Sequence, residues 1–158
     1  MSLVIERLGT GQKGAFASIW IPWLTETRGL TPEPEDLIVM ADPAAYYGKS
    51  GGAAFVGRLD GQVVGAVAVK GLSASGGEFC KLVVTEAARG HGAGRSLVEA
   101  CLAYCAEQGM PALWLQSFRK LDIALGLYER MGFEHAPPPP EMNVLGRTEV
   151  IMRKAVAA

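Results

Sequence analysis

The stretch RGHGAG, residues 89–94, decides how this chain folds, because three closely spaced glycines join a strand-like segment to an amphipathic helix. Residues 79–84 before it are largely apolar and indicate a buried strand. Apolar residues after it recur at helical spacing from Leu97 to Cys105. The loop is therefore predicted to lie at a helix N-terminus, where unpaired backbone N–H groups and a partial positive charge favour phosphate binding.

The spacing of the glycines narrows the kind of phosphate site. A P-loop requires G-x-x-x-x-G-K-[ST] and a dinucleotide fingerprint requires G-x-G-x-x-G, and residues 89–94 fit neither pattern. Gly48-Lys49-Ser50 has the end of a P-loop, but Pro43 stands where the first glycine belongs. The pattern that residues 89–94 do contain is R-x-x-G-x-G.

A second motif follows about forty residues later, in ALGLYERMGF at residues 124–133. Leu121, Ala124, Tyr128 and Met131 form one helical stripe, which predicts a helix from about residue 120. Gly132 suits the left-handed residue that ends a helix, and an extended segment follows it.

Together, in this order and at this separation, the two motifs resemble the acetyl-CoA pyrophosphate loop and the Y-E-x-x-G-F signature of the GNAT superfamily of N-acetyltransferases. The resemblance runs from about Val4 to Arg153 and is weak before Phe55. It implies an α/β (α+β) GNAT fold, with a central mixed, mostly antiparallel sheet flanked by helices. Residues 1–158 are expected to form a single domain.

The pattern of apolar residues and turn formers predicts the individual elements. Strands are expected at residues 3–8, 55–59, 63–69, 78–84, 113–115, 133–136 and 148–153. Helices are expected at 14–24, where Pro22 kinks or ends the helix, and at 34–40. Residues 43–52 are expected to be loop or frayed helix, and Asp60-Gly61 is a strong hairpin signal.

The resemblance implies which residues hold acetyl-CoA. The main chain of Leu82, Val83 and Val84 would bind the pantetheine arm like an added strand. The pyrophosphate would be wrapped by Arg89, Gly90, His91, Gly92, Ala93, Gly94 and Arg95. His91 is expected to contribute its backbone N–H, and for Arg95 a solvated position on the helix surface is an equal alternative. Two residues depart from the family pattern, since Glu86 replaces a common proline and Leu121 replaces a cofactor-contacting asparagine.

Transfer of an acetyl group to an amine needs a base. An alkylammonium has a pKa near 10.4, so holding it neutral at pH 7 costs about 4.6 kcal/mol. The resemblance places a general base on the strand before the loop, where Glu78 stands. Strand alternation predicts that Glu78, Cys80, Leu82 and Val84 share one face. The alternative for Glu78 is a structural ion pair with Lys81 or Arg147.

Tyr128 is expected to protonate the departing thiolate of coenzyme A, as the tyrosine of this motif does in many family members. The alternative is a packed tyrosine with a satisfied hydroxyl, since Tyr128 shares the helical stripe. A role in orienting the thiolate without transferring a proton also stays open.

The predicted function is transfer of an acetyl group from acetyl-CoA to a primary amine of a small molecule or peptide, by direct transfer in a ternary complex. The alternative is a non-catalytic module that binds and senses acyl-CoA. Covalent transfer through Cys80 is disfavoured, because no histidine is positioned by sequence to activate it.

The acceptor amine is not identified by the sequence. The aromatic residues Trp20, Trp23, Tyr46 and Tyr47 either line its pocket or belong to the core. Five acidic residues hint at a cationic acceptor, with a solvated acidic face as the alternative: Glu26, Glu33, Glu35, Asp36 and Asp42.

Composition bounds the partners. The 158 residues carry a net charge of -1, so no nucleic-acid partner is expected. No stretch has the length of a signal peptide or membrane span, which favours a cytoplasmic protein without a membrane partner. The three cysteines lack metal-ligand spacing, and Cys101 and Cys105 are expected in the core, so no metal is predicted. Homodimers are common in the family and one is a possible assembly here, although no segment indicates an interface.

Overall fold

The computed structural model describes residues 2–12 and 14–156. Its strands are β1 (Leu3–Arg7), β2 (Ala53–Leu59), β3 (Gln62–Gly71), β4 (Gly77–Val84), β5 (Ala112–Ser117), β6 (Glu134–His135) and β7 (Val150–Ala155). Its α-helices are α1 (Ala15–Pro22), α2 (Pro34–Ala41), α3 (Pro43–Gly48), α4 (Ala93–Glu107) and α5 (Asp122–Arg130). The strands form one sheet in the order β1-β2-β3-β4-β5-β7-β6.

The sheet is mixed and mostly antiparallel, as predicted. Every neighbouring pair is antiparallel except β4 and β5, which run parallel. These two strands pair only where Gly77 meets Leu113 and Glu78 meets Trp114. Beyond Glu78 the sheet opens, so residues 79–84 of β4 have no strand partner on the side toward β5. We call this opening the splay.

Helices cover both faces of the sheet. On one face α4 and α5 pack over a core that contains Phe79, Leu97 and Leu115. Cys101 and Cys105 are fully buried there, which confirms their predicted core position. On the other face α1, α2 and α3 pack over a core built around Phe16 and Val56. No helix among residues 2–12 and 14–156 has the length and apolar character needed to cross a membrane.

The helical segment before β2 differs from the prediction in two places. Pro22 ends α1, which is one of the two predicted outcomes, but a π-helical turn over Trp23–Thr27 extends the helical segment past its predicted end at residue 24. Residues 43–48 form the regular helix α3, because Pro43 occupies its first turn and the Asp42 side chain accepts a hydrogen bond from the Ala45 N–H. The hairpin at Asp60-Gly61 is confirmed, with φ of 51° and 83° at the two turn residues.

Strand β4 contains a bulge that corrects the predicted alternation. Ala68 of β3 pairs with Cys80 and Ala66 pairs with Val83, so two residues of β4 oppose the single residue between them. The bulge moves Leu82 and Val84 to the face that Phe79 occupies, toward α4. Val83 instead lies with Cys80 on the face covered by α1 and α3. Glu78, Cys80, Leu82 and Val84 therefore do not share one face.

Candidate active site

The glycine-rich loop leads into the N-terminus of α4, as predicted. Gly92 is the residue before the helix and has a left-handed backbone, with φ 71° and ψ 23°. The first helical hydrogen bond runs from the Ser96 N–H to the Gly92 carbonyl at 2.9 Å, and no side chain caps the helix. The N–H groups of Ala93, Gly94 and Arg95 are therefore the unpaired groups of the first turn.

Two predicted ligands in this loop already have partners within the fold. The His91 N–H donates to the Ala88 carbonyl at 3.2 Å. The prediction that this N–H is free to bind a phosphate is therefore wrong. The exposed guanidinium of Arg95 lies 3.8 Å from the Glu99 carboxylate, one turn along α4. Arg95 thus occupies the alternative position, on the solvated surface of the helix. The exposed Arg89 remains as the cation at the loop entrance.

A cavity of about 370 Å³ adjoins the loop. Its walls are Ser18, Ile19, Pro22, Trp23, Glu26, Thr27, Val63, Val83, Val84, Thr85, Glu86 and Arg89. Thr85 Oγ1 is buried there without a hydrogen-bond partner among the described residues. A buried, unpaired hydroxyl at the end of β4 is a group that a bound molecule can satisfy. The larger surface hollow at β6 and β7 includes none of the predicted site residues.

Glu78 lies at the other end of the splay, at its last paired position. It is 6% exposed, and its Oε2 accepts a hydrogen bond from Gln116 Nε2 at 3.0 Å. Burial raises the pKa of Glu78 above its ordinary value, while the Gln116 hydrogen bond and the charge of Lys70 act in the opposite direction. The predicted structural partners are wrong, because Lys81 pairs with Asp36 and Arg147 lies exposed on a loop.

Gln116 is a site residue that the sequence did not reveal. Its side chain donates to Glu78 and to the Asn143 carbonyl, and it accepts from the Leu145 N–H and the Thr148 hydroxyl. Gln116 therefore fixes the Glu78 carboxylate to the loop between β6 and β7. The available signal was a polar residue directly after the apolar run at residues 112–115 of strand β5.

Tyr128 lies on α5, behind the splay. Its ring packs edge-on against Phe79 at a centroid distance of 5.3 Å and against Phe133 at 6.1 Å. Burial raises the pKa of Tyr128 to about 12, so its phenol stays protonated at neutral pH.

The acidic residues before β2 mostly stabilise helices. Glu33 and Asp36 form a capping box at the start of α2, and Asp42 caps α3. Glu35 accepts a hydrogen bond from the Tyr46 hydroxyl at 2.8 Å. Of the five acidic residues that hinted at a cationic acceptor, Glu26 alone lines the cavity. These contacts account for four of the acidic residues without a cationic acceptor.

The four aromatic residues that were candidates for the acceptor pocket divide in the same way. Trp20 and Tyr47 are buried in the core, and the half-buried Tyr46 packs edge-on against Tyr47. Trp23 lines the cavity beside the glycine-rich loop. Among residues 2–12 and 14–156, no group of three His, Cys, Asp or Glu side chains is placed to hold a metal ion.

Comparisons with known proteins agree on one family. The profile of the Acetyltransferase (GNAT) family matches residues 17–133. An uncharacterized N-acetyltransferase of Escherichia coli (strain K12), YjgM, is 30% identical over 142 residues, which cover 85% of this chain and 83% of the relative. An acetyltransferase of the GNAT family from Staphylococcus aureus Mu50 has the same fold, with a TM-score of 0.84, 16% identity, and coverage of 99% of this chain and all of that one.

A solved structure with ligands has this fold as well. It is an N-acetylglutamate synthase from Neisseria gonorrhoeae, complexed with coenzyme A and N-acetyl-glutamate. The TM-score is 0.72 at 21% identity, and the match covers all of this chain and 36% of that one. The family profile, the sequence relative and the fold lead to the same conclusion: the chain belongs to the GNAT family of acetyltransferases.

Proposed function

We propose that this acetyltransferase moves an acetyl group from acetyl-CoA to a primary amine of a small molecule or peptide, by direct transfer in a ternary complex. One arrangement carries the proposal. The splay has the unpaired N-terminus of α4 at one end and the buried carboxylate of Glu78 at the other, joined by the open edge of β4. GNAT acetyltransferases use acetyl-CoA and act on small-molecule or amine acceptors.

The residues of the loop fit the phosphate end of acetyl-CoA. The N–H groups of Ala93, Gly94 and Arg95 face outward from the helix start, and the positive end of the helix dipole favours an anion there. A Cβ built on Gly90 or Gly92 meets no protein atom within 4 Å, so the loop has open space above it. Arg89 adds a positive charge, and the Thr85 hydroxyl offers an unused hydrogen bond.

The open edge of β4 fits the pantetheine arm. Main-chain groups of Leu82, Val83 and Val84 lie along an edge that has no strand partner toward β5. An extended chain with amide groups can pair with such an edge as a further strand would. When bound, acetyl-CoA supplies the thioester carbonyl that the acceptor amine attacks.

Glu78 acts as the general base in this proposal. Its raised pKa brings the carboxylate closer to the pKa that proton transfer near neutral pH requires. The Gln116 hydrogen bond holds its Oε2, which leaves Oε1 for the ammonium of the acceptor or for a water molecule between them. Tyr128 acts as the acid, since its phenol is protonated at neutral pH and has a proton to give to the leaving thiolate.

Direct transfer is favoured over an acetyl-cysteine route by the state of Cys80. Burial raises the pKa of Cys80 to about 11, and its thiol lies 3.7 Å from the Tyr47 hydroxyl. The thiolate that a covalent route needs is therefore scarce at neutral pH. A Cys80→Ala variant is expected to keep full turnover.

The proposal is tested by incubating the protein with acetyl-CoA and a panel of primary amines, including polyamines, amino acids and short peptides. Release of coenzyme A and the mass of each product are measured together. We expect at least one amine to gain a single acetyl group, with one thiol released per product. Binding of acetyl-CoA without transfer to any amine would instead support an acyl-CoA sensor.

A further inference from the structure

The bulge in β4 has an unusual residue at its centre. Lys81 has φ 55°, a left-handed backbone conformation that residues other than glycine rarely adopt. In the bulge type that begins with a left-handed residue, that position is normally glycine. A lysine is found here instead, so contacts of its side chain must compensate for the backbone strain.

The Lys81 side chain makes two such contacts. Its Nζ lies 3.2 Å from Asp36 Oδ1, on the first turn of α2. The same ammonium lies 4.2 Å from the centre of the Trp20 ring, on α1. The Lys81 and Asp36 side chains are 20% and 22% exposed, so both charges are largely removed from water. These two contacts, with Asp36 and with Trp20, connect β4 to two helices on the same face of the sheet, and we call them the Lys81 tie.

The far end of this tie is itself fixed. The second oxygen of Asp36, Oδ2, accepts a hydrogen bond from the Glu33 N–H at 2.9 Å as part of the capping box of α2. Asp36 therefore cannot turn away from Lys81 without uncapping the helix. Lys81 is thus held by the bulge of β4, and Asp36 is held by the capping box of α2.

The bulge decides how the next residues of β4 face the splay. It carries Leu82 and Val84 to the face of α4, and it lies between Glu78 and the buried hydroxyl of Thr85. We propose that Lys81 is a positioning residue for acetyl transfer: its tie to Asp36 and Trp20 holds the β4 bulge, and the bulge aligns the backbone of Leu82–Val84 with Glu78. This inference rests on the proposed use of acetyl-CoA.

Two substitutions of Lys81 separate the backbone from the side chain. Lys81→Ala removes the tie but keeps a residue that is strained at this φ, whereas Lys81→Gly removes the tie and the strain together. We expect Lys81→Ala to lower acetyl-CoA affinity and kcat/KM by about tenfold. Lys81→Gly should stay within about threefold of the wild type, because glycine adopts the bulge conformation freely.

Asp36→Asn provides a second way to break the tie. Its amide oxygen can still accept from the Glu33 N–H, while its NH2 group turns toward the Lys81 ammonium and cannot pair with it. We expect a loss in kcat/KM that lies between those of the two Lys81 variants. Arg58→Met is the control, because it breaks a partly exposed ion pair with Glu6 on β1 and β2, away from the splay.

The decisive measurement compares two probes in calorimetric titrations of the folded variants. Acetyl-CoA spans the whole splay, whereas 3′-phosphoadenosine 5′-diphosphate carries the phosphates without the pantetheine arm. Lys81→Ala should weaken acetyl-CoA binding and leave the nucleotide unaffected, and Lys81→Gly should restore acetyl-CoA binding.

Four results would overturn the inference. Equal loss in Lys81→Ala and Lys81→Gly would mean that the ammonium itself acts on the substrate. Equal weakening of both probes would mean that Lys81 serves only general stability. If the wild type and Lys81→Ala bind acetyl-CoA equally, the inference fails while the proposed function stands; if the wild type binds none, the proposed function fails and the inference with it.

Discussion

Two regions of the molecule differ in whether their polar groups have hydrogen-bond partners. One region runs from β4 to the start of α4, and the other comprises the helices before β2. Around the splay, the hydroxyl of Thr85, the first N–H groups of α4 and one edge of β4 have no partner among residues 2–12 and 14–156. In α2 and α3, Glu33, Asp36 and Asp42 all bind backbone N–H groups. Buried polar groups without partners are candidates to bind a ligand, whereas side chains that bond the first N–H groups of a helix stabilise that helix.

This contrast separates the residues that should control activity from those that should control stability. Substitutions around the splay should change binding or turnover at little cost to the fold. Substitutions of helix-capping residues before β2 that contact neither the cavity nor Lys81, such as Asp42, should lower the free energy of unfolding and leave acetyl-CoA affinity unchanged.

The largest expected effect is on turnover in Glu78→Gln. The variant keeps the shape of the side chain but cannot accept a proton, so kcat should fall about 10²–10⁴-fold while acetyl-CoA affinity stays unchanged. The wild-type rate should also rise with pH through the raised pKa of Glu78, and the variant should lack this rise. Glu107→Gln, an exposed change on α4, is the control. Full turnover in Glu78→Gln would rule out Glu78 as the base.

The next effect compares two buried tyrosines. Tyr128→Phe keeps the ring contacts with Phe79 and Phe133 but removes the acidic proton, so kcat should fall roughly 10–100-fold with unchanged stability. Tyr104→Phe removes a hydroxyl that donates to the Gly51 carbonyl at 2.7 Å, so it should lower stability by about 1 kcal/mol and spare kcat. Steady-state kinetics and urea unfolding of both variants distinguish the two roles, and an unchanged kcat in Tyr128→Phe would assign that tyrosine to packing.

Asp42→Ala tests the structural region. The Asp42 carboxylate accepts from the Ala45 N–H at 3.3 Å and from the Gly11 N–H at 3.1 Å. Loss of this cap should lower the free energy of unfolding by about 1 kcal/mol in urea titrations. Acetyl-CoA affinity should not change, and a large loss of affinity would mean that this segment belongs to the site.

The smallest effect is a pH dependence of stability. The folded pKa of Glu78 lies above the ordinary value of 4.5, so between these two values the folded state binds more protons than the unfolded state. The free energy of unfolding should therefore fall as pH rises from 4.5 to the folded pKa. Glu78→Gln lacks this loss, so the free energy of unfolding of the variant minus that of the wild type should increase across that range. A difference in the free energy of unfolding that stays constant from pH 4 to 8 in urea titrations would contradict the raised pKa of Glu78.

The sequence predicted the parts of the site that depend on neighbouring residues. The loop at residues 89–94 and the helix through Tyr128 carry their signals in local spacing, and both lie where they were expected. The Asp60-Gly61 hairpin was predictable for the same reason, because its two left-handed residues are set by the turn alone.

The sequence did not predict contacts between distant segments. Gln116 reaches Glu78 across 38 positions, and Lys81 reaches Asp36 across 45. The bulge at Lys81 was missed because strict alternation assumes one residue per pair, and a lysine at a left-handed position gives no local signal. The acidic residues before β2 looked like a binding surface because their capping partners are backbone groups, which a sequence does not show.

The most direct test of the account is a calorimetric titration of acetyl-CoA into the wild type and two glycine variants. Gly92 and Gly109 both have φ 71°, and a Cβ at either meets no protein atom within 4 Å, so glutamate is equally strained at both. Gly92 precedes α4 at the proposed phosphate site, whereas Gly109 follows the helix at its far end. We predict micromolar binding by the wild type and Gly109→Glu, and loss of at least about 100-fold in Gly92→Glu, where a negative charge faces the phosphates. Equal affinity in the two variants, or no binding by the wild type, would contradict the account.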